Sequence, residues 1–179
     1  MMSSAADPWF VGAWRRRSIA VLGGEPVEPC EAWWIQAGEA FVDVRIALPG
    51  CEGNALPYSS TRAFAGRFEI ADGEVRWHVD LDSDGAVPRI DRAAAAGLFI
   101  VPDDPLVMIE DAPGRFREEW VQRAVGERGR RPDVEFVRSA NVVAVRVGDI
   151  SGVVSAAGGS VAGRVWHPSG SIAVGGLNA

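Results

Sequence analysis

An all-β, antiparallel barrel is the fold this sequence predicts, on three observations. Apolar residues recur mostly with period two, they do so in short segments broken by Gly, Pro and Asp-Gly, and helix signals are poor. Many short antiparallel strands must hide their edges, and closing the sheet on itself removes those edges altogether. A barrel of roughly eight strands has an interior just wide enough for one small ligand. The 179 residues, 47% hydrophobic and 23% charged, fit one domain over residues 1–179 with one core, in which 1–8 is a flexible N-terminus and 126–133 an exposed loop.

The first segment, Phe10 to Leu22, reads as a long strand ended by the turn Gly23-Gly24-Glu25-Pro26. Ala32 to Gln36 and Phe41 to Leu48 are separated by Ala37 to Ala40, a hairpin-loop length. After a Gly- and Pro-bearing loop over Pro49 to Ser60, Arg62 to Ile70 and Glu74 to Leu81 flank Asp72-Gly73, a tight-hairpin signal. The Ala-rich run Arg92 to Ala96 reads as one short helical turn before a strand over Leu98 to Val101. Leu106 to Asp111, Arg115 to Arg123, Val134 to Arg138, Val142 to Val147, Ile150 to Ser155, Ser160 to Trp166 and Ser171 to Val174 complete the strands, with a helix over Glu118 to Val125 as the alternative at one of them.

The residues that are missing narrow the chemistry. All 18 basic residues are arginine, so no lysine exists to form a Schiff base with a carbonyl substrate or pyridoxal phosphate. One tyrosine (Tyr58) and two histidines (His78, His167) leave Asp and Glu as the abundant proton-transfer groups. Cys30 and Cys51 show no metal or redox spacing, and no nucleotide-, zinc- or serine-hydrolase motif occurs, so neither cofactor nor metal is expected. Asp80-Leu81-Asp82-Ser83-Asp84-Gly85 imitates the start of a calcium loop, but it follows a strand-like alternation, puts Pro88 at the ninth position and has no flanking amphipathic helix; a charged β-turn is the better reading. A net charge of −6 gives no reason to expect nucleic acid or an anionic membrane as partner. The N-terminus has no signal-peptide pattern and no apolar run reaches about 18 residues, so a cytoplasmic protein is expected.

The opening Phe10-Val11-Gly12-Ala13-Trp14-Arg15-Arg16 resembles the Gly-x-Trp signature on the first strand of the lipocalin-like, or calycin, barrels. The ordered series Trp34-Ile35-Gln36, Phe41 to Ile46, Phe64 to Phe68, Trp77-x-x-Asp80 and Glu118-Glu119-Trp120-x-x-Arg123 is similar to a group of bacterial and fungal calycin-type proteins, over most of residues 9–123. The resemblance implies an eight-stranded barrel around an apolar ligand, with the tryptophan closing one end. It also implies a set of possible activities, because some lipocalin-like barrels are cofactor-free enzymes of small-molecule biosynthesis, decarboxylases and cyclases among them.

Strand periodicity groups the candidate site residues by face. Phe41, Asp43 and Arg45 share one face and Val42, Val44 and Ile46 the other; either Asp43 and Arg45 form a surface pair, or they enter the cavity and orient a polar ligand end. Arg76, His78 and Asp80 oppose Trp77, Val79 and Leu81 with the same ambiguity. Glu110 lies in the apolar run Val107-Met108-Ile109, where burial would raise its pKa and fit it to act as a general acid or base. The proton-transfer candidates are therefore Glu110, Glu119 and Asp43, with Arg45 and Gln36 as polar contacts and Trp34, Trp77 and Trp120 as walls. The function expected is binding of a small apolar or aromatic molecule by a cofactor-independent lyase, isomerase or cyclase. A non-catalytic carrier and an interaction module with a filled barrel are the alternatives, and whether two barrels associate as a homodimer is open.

Overall fold

The computed structural model describes residues 11–51, 60–85, 87–123 and 133–175; the expected arm at 1–8, Trp9, Tyr58 and the loop at 126–132 lie outside them. The described chain is all-β and antiparallel, and forms two sheets. The larger holds β1 (Gly12–Val21), β2 (Cys30–Ala37), β3 (Ala40–Ala47), β4 (Arg62–Ala71), β5 (Glu74–Asp82), β6 (Arg89–Ala94), β7 (Leu98–Val101), β8 (Asp104–Ala112) and β9 (Phe116–Gln122), in the order β6-β5-β4-β3-β2-β1-β9-β8-β7. The smaller is a meander of β10 (Val134–Arg138), β11 (Val142–Val147), β12 (Ile150–Ala157), β13 (Ser160–His167) and β14 (Gly170–Val174). Among the described residues no helix is long and apolar enough to cross a membrane.

Local chemistry sets the hairpins. Asp72 and Gly73 both adopt positive φ, 55° and 76°, as the two-residue turn between β4 and β5 requires. The helical turn expected over Arg92–Ala96 is corrected: the strand β6 runs through Ala94, and only Ala95–Gly97 forms a single 3-10 turn. Cross-strand pairing with β5, Trp77 opposite Asp91 and Glu74 opposite Ala94, overrides the helix preference of the alanines. The helical alternative at Glu118 is likewise absent, because Phe116–Gln122 pairs with both β1 and β8.

The nine-stranded sheet curls into a nearly closed barrel. Eight antiparallel pairings lead from β6 round to β7, so these two strands run in the same sense, and the three residues between them cannot reverse the chain. They are the two halves of one bent stave whose first half pairs with β5 and second half with β8. Past Ala112 strand β8 gives way to its hairpin with β9, and the outer edge of β6 has no ladder partner among the described residues. The barrel is open there.

One core was expected; two apolar clusters are found, on opposite faces of the same strands. Inside the barrel, Trp14, Trp34, Phe41, Phe68, Met108 and Trp120 pack together and fill one end. Outside it, Ile35, Val42, Val44, Ala63 and Ala65 pack against Val143, Val145, Val154 and Val165 of the smaller sheet. Strands β2 and β3 are thus covered on both sides. Gly152 and Gly163 permit the close approach: a Cβ at Gly152 would lie 2.9 Å from both Ile35 and Val42, and one at Gly163 would collide with Ala63. His167 of β13 also stacks on Trp33 of β2, with ring centroids 4.9 Å apart.

Candidate functional site

The end of the barrel left unfilled by the inner aromatics is where β1, β3 and β5 finish and β2, β4, β6 and β9 begin, as the pairs Val21–Phe116, Cys30–Ala47, Phe64–Asp82 and Val79–Arg89 show. A cavity of about 580 Å³ occupies it, within the roughly 300–1,000 Å³ common for small-molecule sites. Trp34, Phe41 and Trp120 form its floor, and Phe64, Trp77 and Phe116 its aromatic walls. Ile90 to Ala93 of β6 and Ala112, Arg115 and Phe116 of the β8–β9 hairpin complete the lining. The indole N–H groups of Trp34 and Trp120 are buried and have no partner among the described residues.

Into this aromatic cup the strands place a chain of charges. Arg45 donates two parallel hydrogen bonds to Asp43, Nε to Oδ1 at 2.8 Å and Nη2 to Oδ2 at 2.9 Å, and its Nη1 lies 3.5 Å from Glu118. Glu118 also accepts from Nη1 of Arg16 at 2.6 Å, and Arg16 in turn holds Glu28 through Nε and Nη2, both at 3.0 Å. Both guanidiniums face the Trp120 ring, at 6.0 Å for Arg16 and 5.8 Å for Arg45. Burial works against the charge of each arginine, yet Glu118 and Glu28 for Arg16, and Asp43 and Glu118 for Arg45, more than offset it and raise both pKa values.

Glu110 is directly opposite Glu118 on the neighbouring strand, and both line the cavity. Burial, reinforced by the negative charge of Glu118 and only partly countered by Arg45, pushes the Glu110 carboxyl up to about 8. A neutral acid therefore stands beside a carboxylate already engaged by two arginines.

At the neck of the cavity Asp82, fully buried, accepts hydrogen bonds from Arg62 and Arg89 and from the Asp84 N–H at 3.0 Å. Burial alone would raise its pKa; these donors reverse the effect and hold it low. Two of the three acids of the calcium-like loop are taken up in this way by arginines, Asp82 by Arg62 and Arg89, and Asp80 by Arg138 at 3.1 Å.

Of the residues expected to act together, Asp43, Arg45, Glu110, Trp34, Trp77 and Trp120 all line the cavity. The surface-pair alternative for Asp43 and Arg45 is overturned, since both are buried in the interior. Gln36 is buried on the same face of β2 as Trp34 but beyond the cavity floor, where its Nε2 donates to the Gly38 carbonyl at 2.8 Å. Glu119 is a correction: it points out of the barrel and pairs with Arg17 on the surface at 2.5 Å. His78 also faces outward, bonded to Glu69 at 2.8 Å. Glu118 takes the place in the cavity expected of Glu119, and Arg16, Arg62, Phe64 and Arg89 were not anticipated as site residues. The signal for Glu118 was the alternation itself, because a strand that turns Trp120 inward turns Glu118 inward and Glu119 outward. Arg16 carried no such signal: a β-bulge between Arg16 and Ser18 breaks the alternation of β1.

Compared with protein-family models, with curated proteins and with solved structures, the chain matches none.

Proposed function

We propose that this lipocalin-like barrel binds one small organic molecule in its cavity and that Glu110 transfers a proton to or from it, as in a cofactor-independent lyase, isomerase or cyclase. The observation that carries this reading is the Glu110–Glu118 pair in the wall of a roomy cavity, with Glu118 in ion pairs to Arg16 and Arg45 and Glu110 in none among the described residues. A carboxyl that titrates near about 8 is mostly protonated at neutral pH, yet close enough to that pH to release and recover its proton. Asp43 and Arg45, locked in a bidentate pair, supply a fixed dipole beside it for orienting a polar substrate group. The aromatic floor and walls exclude water from the body of the ligand.

The test begins with an equilibrium titration of the purified protein with an environment-sensitive apolar dye, read as quenching of the tryptophans. One-site saturable binding supports the reading, and a folded protein that binds nothing overturns it. With a substrate found, Glu110→Gln should abolish turnover while leaving the fold and ligand affinity in place. Turnover unchanged in that variant would remove the enzyme and leave the carrier.

A further inference from the structure

Three guanidiniums surround one ring at the neck of the cavity. Arg62, Arg45 and Arg89 stand 5.1, 5.6 and 5.8 Å from the centroid of Phe64. Arg45 is engaged with Asp43 and Glu118. The other two keep donors in reserve. Arg62 uses Nε and Nη2 on Asp82, and Arg89 uses Nη1 on Asp82 and Nε on Asp91, so that Nη1 of Arg62 and Nη2 of Arg89 have no acceptor among the described residues.

We propose that the occupant of this cavity is an organic acid, its aromatic or alicyclic body lying against Trp34, Trp77 and Trp120 and its carboxylate held at the neck by Arg62 and Arg89. The proposal rests on the ligand-binding reading above and adds the chemical class of the ligand. Three lines of physical argument lead to it. Asp82 is completely buried and serves both arginines at once, which fixes their guanidiniums side by side before any ligand arrives; such preorganised forks match a carboxylate better than a lone lysine would. Arg62 and Arg89 share the single negative charge of Asp82, and the other partner of Arg89, Asp91, is half exposed, so an anion beside the two guanidiniums completes their charge balance whereas a neutral or cationic group does not. Finally, the sign of the lining runs against that of the chain: five arginines and four carboxyl residues face the cavity in a protein of net charge −6.

The experiment compares two dyes of one shape. Anilinonaphthalene sulfonate carries a negative charge, and its parent phenylnaphthylamine does not; a naphthalene carboxylate competing against the sulfonate identifies the carboxylate as an accepted anion. Wild-type protein should bind the anionic dye about tenfold or more tighter than the neutral one, with the difference shrinking as salt is added. Arg89→Gln and, separately, Arg62→Gln should each weaken the anionic dye about tenfold and leave the neutral dye unchanged; each retains one arginine on Asp82, and circular dichroism verifies the fold. Equal affinity for the two dyes, equal loss of both in the arginine variants, or failure of the carboxylate to compete overturns the proposal while leaving the binding cavity intact. Failure of both dyes to bind overturns the cavity reading itself.

Discussion

Glu118 touches two guanidiniums, Arg16 at 2.6 Å and Arg45 at 3.5 Å, while Glu110, directly across the β8–β9 ladder, touches none among the described residues. Burial, with the negative charge of Glu118 beside it and no guanidinium in contact, is what raises the Glu110 carboxyl.

A dependence of stability on pH follows. Between about 4.5, its ordinary value, and about 8, folded Glu110 holds a proton that the unfolded chain has released. Unfolding in that window releases a proton, so Glu110 lowers stability progressively as pH rises through it, and the loss levels off above about 8. Glu110→Gln removes this dependence. Urea denaturation should find the variant gaining on wild type from acid to alkaline pH, and a constant difference would refute the assignment.

Arg16 is expected to be the most costly of the inner charges to remove. Its side chain has no exposure, and its loss leaves Glu118 and Glu28 without their shared cation. Arg16→Met should destabilise by about 3–5 kcal/mol, measured as the change in unfolding free energy in urea.

Glu119 supplies the contrasting control. Its partner Arg17 is more than half exposed, and exposed pairs of this kind contribute about 0–1 kcal/mol. Glu119→Gln should change neither stability beyond that range nor dye affinity; a loss of binding would mean that the face assignment of β9 is wrong.

Gly163 tests the contact between the two sheets. An added methyl meets Ala63 and lies 3.2 Å from Val44, in a layer with no spare room. Gly163→Ala should lower stability by about 1–3 kcal/mol, and adding Ala63→Gly should restore part of it. Thermal unfolding of the two single variants and the double variant gives the coupling.

The strands were legible because their period-two patterns and turn residues are local: Asp72-Gly73 reverses the chain with its own backbone, whatever lies around it. The division into two sheets was not. Alternation says which residues share a face, and in β3 it separated Phe41, Asp43 and Arg45 from Val42, Val44 and Ile46 correctly, but it says nothing of what each face meets. With the smaller sheet outside β3, the apolar set is buried against it and the polar set is buried in the cavity, so a rule that assigns one face to water had no right answer. Glu110 was legible as an acid in an apolar run. The arginines at the neck were not, because Arg62 and Arg89 are 27 positions apart in sequence and meet only through Asp82.

The covering of β2 and β3 on both sides gives the cavity walls unequal stiffness. The wall that carries Asp43 and Arg45 is braced from behind by a full sheet, as an abutment braces an arch, and the bidentate pair is held to one geometry. The opposite wall, β6, has an open edge and mostly exposed side chains. Strain from an oversized guest therefore falls on β6. The amides of β6 should exchange with solvent faster than those of β3, and tolerance of ligand shape falls to the part of β6 beyond Arg89, whose guanidinium is tied back to Asp82 of β5.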